Sequence, residues 1–114
     1  MISIKYLISD KKGGIAYCSE VIKNGNESFL WQDDEEKYPM LSEVTTFDIE
    51  TFFPEEMKEL VQELTAVKKT LKDKLEILHI EEIISLCKKC QDKNEGQIVF
   101  NPFTNLVKIG EKQS

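Results

Sequence analysis

The sequence predicts an α+β fold in which one antiparallel sheet, a three-stranded meander plus a C-terminal hairpin, packs against an antiparallel two-helix hairpin. Three features of the 114-residue chain lead there. Apolar residues alternate along the N-terminal stretch, which is strand periodicity. From about residue 52 to 94 they recur at three and four positions, which places them on one helical face. Beyond Gly96 the apolar runs are short again and surround a proline-containing turn.

Ile2, Ile4, Tyr6 and Ile8 alternate with Ser3, Lys5 and Ser9, so residues 2–9 read as a half-buried strand. Lys11-Lys12-Gly13-Gly14 is a turn, because paired glycines reach positive φ without steric penalty. Residues 15–23 form the second strand, and Asn24-Gly25 is a hairpin signal leading to a third strand from Ser28 to Gln32. Tyr38-Pro39-Met40-Leu41 is apolar but interrupted by proline and reads as irregular packed chain.

Pro54 marks the first turn of a helix over about 52–71, since its missing N–H has no partner there to lose. Met57, Leu60, Val61, Leu64, Val67 and Leu71 form its buried face. Glu55, Glu56 and Glu59 at its start and Lys68, Lys69 and Lys72 at its end complement the helix dipole. Asp73 and Glu76 have capping-box spacing, so a second helix begins near Lys74. Its apolar set is Leu75, Leu78, Ile80, Ile83, Ile84, Leu86, Cys87 and Cys90, and Asn94 and Gly96 terminate it. The short linker between the two requires an antiparallel hairpin. Gln97–Phe100 and Leu106–Ile109 flank a turn from Asn101 to Asn105 and read as the closing hairpin. No repeat or linker divides the chain, so residues 1–114 are read as a single domain.

The formal charge is −6, the 15 basic residues are all lysine, and this balance disfavours direct binding to nucleic acid or anionic lipid. No apolar run approaches the length of a membrane span. The N-terminus has neither the basic start nor the continuous apolar stretch of a signal peptide, which predicts a cytoplasmic protein. Three cysteines, an odd number, agree with a reducing compartment.

Cys87-Lys88-Lys89-Cys90 has redox-motif spacing, but it falls near the end of a helix, where the dipole disfavours a thiolate. Both cysteines also belong to the apolar stripe and read as core. A zinc site needs about four ligands. The remaining candidates, Cys18 and His79, are badly placed, since His79 precedes Cys87 by about 12 Å of helix. His79 has no nucleophile or orienting group at defined spacing and reads as a residue at the edge of the core. The Gly13-Gly14 turn lacks the lysine-serine ending of a phosphate loop. Asp33-Asp34-Glu35-Glu36 lacks the ligand alternation of a calcium loop. The sequence therefore predicts no catalytic residue, no cofactor and no metal.

One feature passes this filter. Between Asp33 and Glu63 there are eleven acids against two lysines, a local charge of −9, which leaves +3 for the remainder. Trp31, Tyr38, Met40, Phe47, Phe52 and Phe53 are interleaved with those acids, and some of them must be core. Aromatic groups beside charge suit an interface in which aromatics anchor and charge steers a basic partner. The candidate partner-binding residues are Asp33, Asp34, Glu35, Glu36, Tyr38, Glu43, Asp48, Glu50, Glu55, Glu56 and Glu59.

The acidic Trp31–Leu41 stretch with Tyr38-Pro39-Met40-Leu41, the helix led by Phe53-Pro54-Glu55-Glu56, and the Ile83–Cys90 helix before Ile98-Val99-Phe100 form a recognisable layout. It resembles the small acidic immunity proteins that accompany bacterial polymorphic toxins, including those of contact-dependent growth inhibition. The resemblance implies a non-enzymatic cytoplasmic protein that binds a cognate toxin domain and blocks its active site or substrate groove, and an acidic surface suits a basic toxin. Two other readings stay open: an accessory or regulatory interaction domain acting as an oligomer, and a redox or metal protein using Cys87 and Cys90.

Overall fold

β1 (Ser3–Ser9) and β2 (Ile15–Val21) pair antiparallel as the first hairpin of the computed structural model, which describes residues 1–103. The Asp10 carboxylate closes its turn by accepting from the N–H groups of Lys12 at 2.9 Å and Gly14 at 2.7 Å, while Gly13 takes φ 84°. The α+β class holds: among the described residues a four-stranded antiparallel sheet carries a helical hairpin on one face. The strand order is β2-β1-β4-β3, with β3 (Glu50–Phe52) and β4 (Gln97–Asn101) completing it.

This order corrects the expected meander. Ser28–Gln32 contains no third strand; Glu27–Leu30 is a single helical turn, α1. The reason is burial. Phe29 and Leu30 are both in the core, and a strand would send neighbours to opposite faces. Asn24-Gly25 does make a tight turn, with Gly25 at φ 75°, but it feeds that helical turn. The Asn26 side chain then does what a strand backbone would have done. Its Oδ1 accepts from the Ile2 N–H at 2.7 Å and its Nδ2 donates to the Ile2 carbonyl at 2.7 Å.

The strand beside β4 is supplied from within the acidic stretch. Phe52 faces Ile98 and Glu50 faces Phe100, and the Phe52 and Phe100 rings meet edge to face at 5.6 Å. With β1 on one side and β3 on the other, β4 has both edges paired. The hairpin partner expected at Leu106–Ile109 lies outside the described residues.

Pro54–Glu56 forms a 3-10 turn that leads into α2 (Met57–Thr70), and three residues later α3 (Lys74–Lys93) returns antiparallel. Asp73 caps α3, its carboxylate accepting from Leu75 N–H at 2.8 Å and Glu76 N–H at 3.2 Å. Asn94 in the left-handed region, φ 50°, ends it. Met57, Leu60, Leu64 and Val67 of α2 are buried as predicted, and so are Ile80, Ile83, Ile84, Leu86, Cys87 and Cys90 of α3. Val61 and Leu71 are partly buried against that core. Leu75 and Leu78 are not core: they are 65% and 52% exposed. They lie in register with Glu82, Ser85 and Lys89, the solvent side of α3. Ile4 and Tyr6 of β1 and Ile98 and Phe100 of β4 meet the helices from the sheet.

Candidate functional site

The acidic stretch follows α1, supplies β3 and enters α2, and it divides into three parts. Asp33, Asp34, Glu35 and Glu36 lie exposed on a turn after α1. Asp34 is the organiser there: its Oδ1 accepts from the N–H groups of Glu36 and Lys37, each at 3.1 Å, and its carbonyl accepts from Tyr38 N–H at 2.8 Å. Glu36 and Glu59 come together across a groove of about 370 Å³ that Lys37 and Glu63 also line.

Glu63 holds this loop to α2. Its buried carboxylate accepts from Met40 N–H at 3.1 and 3.2 Å and from Leu41 N–H at 2.9 Å, capping the 3-10 turn Leu41–Glu43. Burial raises its pKa, and the backbone donors act against that rise. Tyr38 departs from expectation. Its ring is 5% exposed and packs in the core, because the Glu63 clasp draws the Pro39–Leu41 chain inward. It is therefore no part of the outer surface.

The third part surrounds β3. Burial pushes the Glu50 carboxyl up, and the neighbouring carboxylates of Glu43, Glu56 and Asp48 push it further. Glu50 thus sits in the field of three neighbouring carboxylates. Among the described residues the two ion pairs are Met1 ammonium with Glu27, at 3.2 Å, and Lys5 with Glu20, at 3.8 Å. Neither involves any acid from Asp33 to Glu59. Glu56 has a local duty as well, accepting from Phe53 N–H at 3.0 Å to cap the turn into α2. Glu55 is set apart, close enough to the end of α3 to help raise the Cys90 pKa.

The interleaved aromatics separate cleanly. Phe52 joins Tyr38 in the core, and Met40 is partly buried. Trp31, Phe47 and Phe53 remain 47%, 78% and 44% exposed, with Ile49 beside them at 51%. Glu27, Thr45 and Thr46 join Trp31 and Phe47 around a cleft of about 340 Å³. Those three residues carried no sequence signal, because a cleft across a loop and a helical turn has no periodicity.

Cys87 and Cys90 are free, buried thiols, and Cys18 is a free, exposed one. Burial pushes the Cys87 pKa up to about 12, and burial together with Glu55 raises that of Cys90. The conditions for a reactive thiolate are opposite to these. Among the described residues no group of three or more His, Cys, Asp or Glu side chains could hold a metal ion. No helix among them is long and apolar enough to cross a membrane.

His79 is more buried than a residue at the edge of the core, at 2% exposed. Its Nε2 lies 3.1 Å from Asn26 Nδ2, which also donates to the Ile2 carbonyl. Nε2 must then accept, so the ring is neutral with its proton on Nδ1. Desolvation, with Lys23 nearby, lowers its pKa from 6.5 to about 4. The unfolded chain therefore binds more protons than the folded one between those values, and stability falls as pH drops through that window. Between about pH 7 and about pH 5 the expected loss is on the order of 2 kcal/mol. Urea midpoints across that range measure it, and His79→Gln should flatten the dependence.

Comparison with known proteins finds no matching family model, no matching curated protein and no matching solved structure.

Proposed function

We propose that this chain is a non-enzymatic, cytoplasmic immunity or inhibitor protein that neutralises a cognate basic toxin domain by covering it with the acidic surface. The observation that carries this reading is Glu50, whose carboxyl feels the charges of Glu43, Glu56 and Asp48, while among the described residues no lysine or N-terminal ammonium is in ion-pair contact with any of the four. Glu50 thus meets like charge in the free protein. A basic partner would relieve it on binding and would be steered toward it at long range. The exposed Trp31, Phe47 and Phe53 beside it supply the apolar contact that charge alone lacks.

The candidate partner is the C-terminal domain of any large secreted protein encoded immediately upstream. Its association rate with this chain is expected to fall at least tenfold when salt rises from about 0.05 to about 0.5 M, because screening shortens the reach of the acidic field. A salt-independent rate would remove the steering role.

One observation favours a second reading, an interaction domain acting as an oligomer. Among the described residues β2 is a seven-residue edge strand, and it has no lysine or proline. Its Ile15 and Tyr17 are 66% and 41% exposed, and Glu20 is occupied by Lys5 and the Ser3 hydroxyl. Unprotected edges pair readily. Light scattering decides it: a dimer that Tyr17→Lys dissociates would support this reading, and a wild-type monomer would end it.

A further inference from the structure

Among the described residues β2 and β3 are the two edges of the sheet, at opposite ends of the order β2-β1-β4-β3. Acids gather around β3, whereas β2 carries a single acid, Glu20, which Lys5 and the Ser3 hydroxyl already occupy. In a chain of net charge −6, β2 is an edge where a second copy meets no uncompensated charge.

Pairing with β1 opposes Tyr17 to Ile8, Ser19 to Tyr6 and Val21 to Ile4, so these three residues of β2 lie on the helix side of the sheet. The Tyr17 ring meets the Tyr6 ring edge to face at 5.7 Å and stays 41% exposed at the rim. Cys18 and Glu20 lie on the other side. Ser9 faces Ile15 rather than Ala16, which makes Ala16 a bulge. Bulges guard edges, but this one sits at the turn end and leaves Tyr17 to Val21 in regular register.

Only certain registers let a second copy add to that stretch. Peptide groups point out of an edge at every second residue, so outward groups meet outward groups only when the two-fold axis passes through a residue. An axis at Glu20 would set the two Glu20 carboxylates face to face. An axis at Tyr17 or Cys18 would bring the Ala16 bulge into the pair, and one at Val21 would run past the end of the strand. An axis at Ser19 uses all five regular residues of both copies. It opposes Tyr17 to Val21, a favourable aromatic and β-branched pair, and Cys18 to Glu20, with no like charges directly opposed.

We propose that two copies of this chain pair their β2 strands antiparallel about a two-fold axis at Ser19, joining their sheets into one. The proposal deepens the oligomer reading given above and rests on it. The acidic surface is not involved, because β3 of each copy stays at the edge far from the axis. Five residues a side is well short of the roughly 20–30 of a standard interface, so the dimer is weak, with a dissociation constant on the order of 10⁻⁵ M.

Disulfide trapping reads the register. Bridged cysteines need Cα atoms within about 7 Å, which a pair at the axis satisfies. Cys18 of each copy faces Glu20 of the other, which sets the two Cys18 Cα atoms about 8 Å apart, too far to bridge. Wild type is compared with a variant carrying Cys18→Ser and Ser19→Cys, both at about 100 µM and oxidised with diamide. Diamide takes one hydrogen from each of two thiols and becomes a hydrazine as the S–S bond forms. Cys87 and Cys90 are buried and take no part. The variant is expected to form covalent dimer at least about tenfold faster than wild type, and adding Tyr17→Lys should remove that advantage. Equal rates would overturn the pairing about Ser19, and so would faster trapping through Cys18, which would move the axis. In either case light scattering at the same concentration decides the reading beneath it: a wild-type dimer leaves the oligomer reading standing, and a monomer ends both.

Discussion

Asn26→Ala is expected to lower the stability of the folded chain by about 3–5 kcal/mol, a large part of the 5–15 kcal/mol typical of a small domain. Asn26 is fully buried and makes three contacts at once. It accepts from Ile2 N–H, donates to the Ile2 carbonyl, and donates to His79 Nε2. Alanine would leave all three buried groups without partners, and each orphan costs roughly 1–3 kcal/mol. The effect should appear as a lower urea midpoint with little change in slope. Asn26→Asp separates the roles. A carboxylate still accepts from Ile2 N–H but cannot donate, and it would draw a proton onto His79. The pKa of this sole histidine, read by NMR, should rise from the depressed value of about 4.

Gly96→Ala should be nearly as damaging, at about 3 kcal/mol. Gly96 lies between α3 and β4 with φ 82°, where a side chain is strained in any surroundings. The space is also occupied: a Cβ there would lie 2.5 Å from the Leu7 carbonyl oxygen and 2.8 Å from Tyr6 Cε1. The nearest atom is backbone in the centre of the sheet, so it cannot turn aside. Tyr6 is fixed as well, since its hydroxyl donates to the Glu95 carbonyl at 3.0 Å. Relief would require β4 to move away from β1, and thermal unfolding measures that loss. Gly25→Ala is the control, with φ 75° but open space around the Cβ, and should cost less.

These two positions show where the sequence was legible and where it was not. Long periodic segments were readable. The α2 face, the Ile80–Cys90 face of α3, the Asp73 cap and the first two strands all stand where the spacing placed them. Short elements were not. Ser28–Gln32 looked like a strand because it holds Phe29, Leu30 and Trp31, yet no local signal shows that Asn26 bonds a backbone 24 residues away. Three residues from Glu50 to Phe52 carry too little period to mark a strand, and only pairing with Ile98–Phe100 defines it. In the acidic stretch, charge was visible and burial was not. Glu63 and Tyr38 turned inward, while Phe47 and Ile49 turned out. The grouping of Glu43, Asp48, Glu50 and Glu56 arises from β3 joining the sheet, so it became visible only with the fold.

The most direct test of the acidic surface as a binding face is an affinity measurement on the proposed partner, the C-terminal domain of any large secreted protein encoded immediately upstream. Wild type is compared with a variant carrying Glu43→Gln, Asp48→Asn, Glu50→Gln and Glu56→Gln. These changes keep side-chain size and the acceptor that Glu56 offers to Phe53. They also remove the like charge that Glu50 meets, so the variant should be at least as stable as wild type. The expected result is a loss of about 100-fold or more in affinity, with co-expressed cells no longer protected. A stable, neutralised variant that binds and protects as well as wild type would contradict it.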